Sequence, residues 1–194
     1  MIMQLKQLAN INAGYPFRGK IPEVANSGIL AVQMKNTSPE DIRWSNCIET
    51  EPSGKRQPDW LQAGDILFVA RGNHNYAVLV DKTPVLPSIA APHFFVISST
   101  TPTVLPQFLT WQLNQAPCQR YLEQHTEGTL TKSIRKNVLE DLPVTIPDIH
   151  KQQSIINLAD TIRQEQHIAE QIIRNGQQLL NTIAHDIIHA HKRT

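Results

Sequence analysis

Six consecutive residues, Arg71, Gly72, Asn73, His74, Asn75 and Tyr76, hold the densest set of side chains suited to reading DNA bases. A guanidinium matches the guanine edge, and side-chain amides match adenine. Arg71, Asn73 and Asn75 supply those groups, with His74 and Tyr76 beside them. Lys35 with Asn36, and Lys55 with Arg56 in "GKRQ" (54–57), repeat the chemistry on a smaller scale. "TLTKSIRK" (129–136) places Lys132, Arg135 and Lys136 together without an acid. Thr129, Thr131 and Ser133 lie between them and can bind phosphate oxygens, aided by N–H groups at a helix start. Each segment also has a plainer reading. The Asn and Gly residues of 71–75 can simply build a hairpin turn. The lysines and arginines can be solvated surface, and 129–136 an ordinary capped helix.

Other chemistries find little support. His185 and His189 share a helix face, with His191 beyond, but no Cys, Glu or further His stands at ligand spacing, so a solvated helix end is expected and no metal. No G-x-x-x-x-G-K-(S/T) phosphate loop is present, nor N-P-P-(F/Y), a glycine-rich cofactor loop, G-x-S-x-G or a nuclease-type acidic cluster. No catalytic residue and no cofactor is therefore expected. Cys47 and Cys118 are alone and far apart, which argues against a disulfide framework or zinc ribbon and fits a reducing cytoplasm. No eighteen-residue apolar run predicts a membrane span, and the first residues lack a signal-peptide pattern. Net charge is +1, far less basic than a dedicated non-specific DNA binder.

The elements that position these residues follow from pattern. All 13 prolines lie at or before Pro147, and every aromatic lies at or before Tyr121. The remainder is Gln, Ile, Ala, Leu, Asn and His, a helix composition. The expected division is therefore a domain over 1–148 and a helix over 149–194. In the front part, 28–34, 65–71, 76–81 and 93–98 read as short strands between Gly, Pro, Asn and Ser clusters. From Pro106 the spacing of Phe108, Leu109 and Leu113 predicts a helix with proline in its first turn. Pro117 restarts a second helix, Ser133 is placed to cap a third, and "VTI" (144–146) forms a last strand. The fold class is α+β: a mixed, β-rich domain with short helices, then a long coiled-coil helix.

That helix carries a seven-residue stripe. Ile155, Ile162, Ala169, Gly176, Ile183 and Ala190 occupy one heptad position, and Leu158, Glu165, Ile172, Leu179 and Asp186 another. Ala159, Ile173, Leu180 and Ile187 widen it. A helix of this kind is marginal alone in water. It either folds back on its own domain or pairs with another chain, and the stripe favours pairing.

Several segments, in order, resemble the specificity (S) subunit of type I restriction–modification systems, or one half of it. "GYPFRG" (14–19) is similar to the family's glycine–aromatic opening. "LQAGDILFVARG" (61–72) is similar to its L-x-x-G-D-I-L strand, and "LPQFLTWQL" (105–113) to its P-x-y-L helix. "EGTLTKSIRKNVLEDLPVTIP" (127–147) and "PDIHKQQSII" (147–156) resemble its closing strand and the start of its long helix. Asp148 stands where a second proline is usual, and Lys151 where glutamate is usual. One recognition domain and one helix are present where full subunits have two of each.

The resemblance implies a non-catalytic protein. Its domain would read double-stranded DNA. Its helix would set spacing and dock a DNA methyltransferase (M) subunit, possibly also a restriction (R) subunit. A half-length form would homodimerise through Ile155, Leu158, Ile162, Ala169, Ile172, Leu179, Ile183 and Ile187 and so address a bipartite target. Two other classes stay open: a coiled-coil adaptor that binds protein without DNA specificity, and a small hydrolase with an unrecognised site.

Overall fold

The computed structural model describes residues 1–53, 57–72, 74–126 and 133–190, and the chain divides into two compact units, Met1–Gln153 and Ser154–Thr194. The first unit is α+β. In chain order its strands are β1 (Ile2–Gln4), β2 (Ala9–Ala13), β3 (Leu30–Val32), β4 (Ile48–Glu49), β5 (Ile66–Val69), β6 (Ala77–Leu79), β7 (Ser88–Ala90) and β8 (Phe94–Ser99). Helices α1 (Pro106–Leu113), α2 (Ala116–Gln124) and α3 (Lys136–Glu140) follow, then β9 (Pro143–Thr145). Helix α4 (Ile149–Ala190) closes the chain.

The central sheet runs β2-β8-β5-β6, every pair antiparallel. Its middle strand β5 is a continuous apolar run because both of its faces are covered: Ile66, Leu67, Phe68 and Val69 are all buried. Side chains alternate across a strand. Leu67 and Val69 accordingly share a core cluster with Val32, Ile42, Val78, Val80, Phe94 and Val96. Helix α1 packs on β6 and buries Phe108, Leu109 and Leu113. Asn114, just past that helix, donates its amide to Ala77 O and accepts Ala77 N–H, both at 2.8 Å, so the free edge of β6 is satisfied by a side chain. A second sheet, β4-β3-β7, contains the parallel pair β3–β7, and β1 pairs with β9.

Two of the quoted motifs are packing requirements. A Cβ on Gly14 would lie 2.1 Å from Ala91 O, so only glycine lets β2 close on the 90–91 backbone. Gly64 has φ +91°, which turns the chain into β5. The buried Asp65 then ties that turn: it accepts Gln62 N–H at 2.8 Å and Ser98 Oγ–H at 2.6 Å.

The strands β3, β5 and β6 lie within the stretches expected from pattern, somewhat shortened; β8 and β9 fall on theirs shifted by one residue, and α1 starts at Pro106. Four further strands, β1, β2, β4 and β7, have no strong local signal; "ANINA" and "IE" become strands through their partners. Ser133 does not cap α3. It forms a β-bridge with Arg71, and the residue ahead of the helix is Arg135.

The start of α4 is fastened within the first unit. Asp148 caps it by accepting Lys151 N–H at 3.0 Å. Gln152 is fully buried, and its amide accepts Leu105 N–H at 2.9 Å and donates to Thr103 O and Pro147 O at 2.8 and 2.9 Å. At about 1.5 Å per residue, the helix's 42 residues span ~63 Å. Within the second unit it carries short-range pairs, Arg163–Asp160 at 3.4 Å and Arg174–Glu170 at 3.5 Å. Every residue from Asp160 to Ile188 is exposed.

Candidate nucleic-acid interface

Three stretches far apart in sequence meet beyond the end of β5. The chain leaves Val69, passes Arg71 and returns through Asn75 and Tyr76 into β6. Val69 N–H donates to Tyr76 O at 2.8 Å. Val69 O accepts the side-chain amide of Asn75 at 2.9 Å, a place that a regular ladder fills with a main-chain N–H. On one side Arg71 bridges to Ser133, and Ile134 N–H donates to Ala70 O at 2.9 Å, which brings in the segment carrying Arg135. The other junction is made by Tyr76. Its phenol oxygen lies 2.8 Å from Thr37 Oγ1 and 2.9 Å from Thr37 O. Thr37 ends the 3-10 turn Met34–Asn36. A Cβ on Gly72 would sit 4.0 Å from Met34 Sδ.

The expected contact residues thereby separate into kinds. Arg71, His74 and Lys35 are exposed, and among the described residues none of their side chains makes a hydrogen bond or ion pair. Arg135 is also exposed. Asn36 is different: it is 1 % exposed, its Oδ1 accepts Gln33 N–H at 2.9 Å, and its Nδ2 donates to Asn46 O at 2.7 Å. Its amide is engaged inside the fold on both its oxygen and its nitrogen. The Asn75 amide nitrogen and the Tyr76 hydroxyl are engaged as well, and the Tyr76 ring packs on the core cluster. Lys55, Arg56, Asn73 and Lys132 lie outside the described residues.

Two residues come to this end of the sheet from the structure alone. Thr37 makes the junction just described. His93 is exposed, and its carbonyl accepts Ala70 N–H at 2.9 Å, next to Arg71. Neither stands out in sequence: Thr37 is one of many threonines, and His93 gains its place only from the pairing of β8 with β5.

The even balance of the front part, 13 Lys and Arg against 13 Asp and Glu over 1–148, understates this face. Several acids hold the scaffold. Asp65 ties the β5 turn, Asp141 pairs with Lys6 at 2.7 Å, Glu140 with Lys136 at 3.3 Å, and Glu49 accepts Gly28 N–H at 3.1 Å. Lys35 and Arg71 are left without such partners among the described residues. Neither thiol is an activated nucleophile. Burial pushes both Cys47 and Cys118 up to about 11, against a weaker pull from Lys35 on Cys47.

Among the described residues no group of three His, Cys, Asp or Glu is placed to hold a metal ion, and no helix is long and apolar enough to cross a membrane. An open cleft of about 290 Å³ lies between Trp60, Leu61 and Gln62 on one side and 83–87 on the other. Its lining carries no ionisable side chain, so it offers no acid–base pair for hydrolysis.

The fold is that of the specificity subunits of type I restriction–modification systems. The type I restriction–modification S subunit from M. genitalium is 15% identical; the match covers 96% of this chain and 45% of that one, with a TM-score of 0.57. The HsdS subunit from Thermoanaerobacter tengcongensis is 14% identical, over 89% of this chain and 44% of that one, with a TM-score of 0.60. A chain from a structural study of type I system assembly and conformational transition gives 14%, 85% and 38%, with a TM-score of 0.58. The chain thus spans less than half the length of each of these structures. No family model and no curated protein matches it.

Proposed function

We propose that this chain is a non-catalytic, sequence-specific DNA recognition subunit of a type I restriction–modification system. In this reading 1–148 is the target-recognition domain. Arg71, His74, Lys35 and Arg135 are its described contacts; Asn73, Lys55, Arg56 and Lys132, proposed from residue type alone, lie outside the described residues. The helix 149–194 pairs two copies and docks the methyltransferase subunit. The carrying observation is that the exposed side chains of Arg71, His74 and Lys35, which make no hydrogen bond or ion pair among the described residues, come together at one end of the central sheet, on a fold shared with specificity subunits.

The exposed stripe of α4 supports pairing. Ile162, Ile172, Leu179 and Ile183 are 45%, 66%, 62% and 46% exposed. Burying each aliphatic side chain contributes about 1.5–3 kcal/mol, so a partner helix over the whole stripe supplies ample driving force. A helix of ~63 Å is under two DNA turns of ~34 Å, a spacing at which two domains can address a split target.

The test is fluorescence anisotropy on duplex DNA across salt concentrations, with and without the methyltransferase subunit. Binding by the chain alone is expected to be weak. With the methyltransferase it becomes tight and sequence-specific, with affinity that falls steeply as salt rises. The rival reading, a coiled-coil adaptor, rests on the same exposed stripe and on the exposed Trp60 and Val85 beside the cleft. No duplex binding in either condition would establish the adaptor and remove the specificity subunit.

A further inference from the structure

Two residues that look like base readers in sequence, Tyr76 and Asn75, are better understood, together with Thr37, as the frame behind the readers. Tyr76 has one hydroxyl proton. It can donate to Thr37 O, while Thr37 Oγ1–H, also with one proton, donates to Tyr76 Oη or to Met34 O, 3.1 Å away. Either arrangement joins the β5–β6 connection to the 34–37 turn, which are 39 residues apart in sequence. Asn75 closes the same connection from within through Val69 O. The partly buried ring of Tyr76 packs against the core, and its hydroxyl is engaged by Thr37. Arg71 and His74 sit on the connection so fixed, and Lys35 sits on the turn to which it is fixed.

We infer that Tyr76, Thr37 and Asn75 are positioning residues: the Tyr76–Thr37 hydrogen bond sets Arg71 and His74 in register with Lys35, and sequence discrimination depends on it more than DNA affinity does. The reason is geometric. A charge attracts phosphates from many orientations, whereas a base edge is read only by donors and acceptors held in one place. Releasing the connection leaves the cations present and the readout blurred. This inference rests on the DNA-recognition reading above.

The experiment is co-expression of the full chain with the methyltransferase subunit from the same source, followed by sequencing of modified bases in the host chromosome. Tyr76→Phe and Thr37→Val each keep shape and remove a hydroxyl. Tyr76→Phe removes both bonds and is expected to turn at least one specified position of the methylated motif degenerate, with discrimination there falling about tenfold, while total methylation persists; Thr37→Val keeps the bond from Tyr76 Oη–H to Thr37 O and is expected to give a smaller loss at the same position. Thr37→Ser retains the hydroxyl and is expected to keep the parental motif. Asp65→Asn, a purely structural change, serves as the control and lowers methylation at all sites alike. An unaltered motif in Tyr76→Phe and Thr37→Val, with methylation merely reduced as in the control, overturns the positioning role but leaves DNA recognition standing. A wild-type complex that methylates no defined motif overturns both.

Discussion

The side chain of Gln152, in the first turns of α4, accepts the main-chain N–H of Leu105 just ahead of α1, at 2.9 Å. Forty-seven residues separate the two. The glutamine of the "PDIHKQQSII" stretch is therefore a joint. It fastens the beginning of the long helix to the connection between β8 and α1, with further bonds to Thr103 O and Pro147 O. Gln152→Ala leaves the part-buried Leu105 N–H and two carbonyls without their partner. A cost of about 1–3 kcal/mol is expected, read as a lower urea midpoint with an unchanged slope. A midpoint within error of wild type would show that water replaces the amide freely.

Gly14 carries a second stability prediction. Gly14 N–H donates to Phe94 O at 3.0 Å and Tyr15 N–H to Ala90 O at 2.8 Å, so the backbone there is held from both sides. Gly14→Ala would force β2 away from Ala91 O. Overpacking of this kind costs about 1–3 kcal/mol, and more where the obstacle is backbone. Thermal melts of the two proteins check it; an alanine variant that melts with wild type would contradict the close approach.

The helix cap gives a pH dependence. The Lys151 N–H bond holds Asp148 below the ordinary value of 3.8, with burial opposing weakly and His150 and Lys151 assisting. The folded carboxyl thus binds fewer protons than the unfolded one. Its contribution is fully present above the unfolded value and is lost as pH falls through the folded value. Asp148→Asn should therefore lose less stability than wild type between pH 6 and pH 3, by chemical denaturation at each pH. Equal losses would remove the cap's electrostatic part.

Pairing through α4 predicts a mass. Light scattering on the purified chain should give a dimer, and Ile172→Asp with Leu179→Asp should give a monomer, because two charges would enter the seam. The helical signal at 222 nm should drop with it, since an unpaired helix of this composition is marginal. A monomeric wild type with full helicity would exclude pairing as the reason for the stripe.

What a reader of the residues alone can extract is local. The last proline at Pro147, the absence of aromatics after Tyr121 and the heptad spacing mark α4, because helical order is written every three to four residues. The run "DILFV" marks β5, because a strand covered on both faces needs apolar side chains throughout. "ANINA" and "IE" could not be recognised as strands, since their partners β8 and β3 make them so.

The candidate interface was decided almost wholly by tertiary structure. Asn36 and Asn75 are the same residue type with the same local promise, yet one is buried and the other has its amide nitrogen bound to Val69 O. Ser133 has the makings of a cap and is taken by Arg71 instead. Residue types determined which chemistry is available: guanidinium, imidazole, amide and ammonium in four short segments. Strand register and the Tyr76–Thr37 contact determined which of those groups face solvent together. The physical reason is that a hydrogen bond across 39 residues depends on how the intervening chain folds, and no short window of sequence contains that.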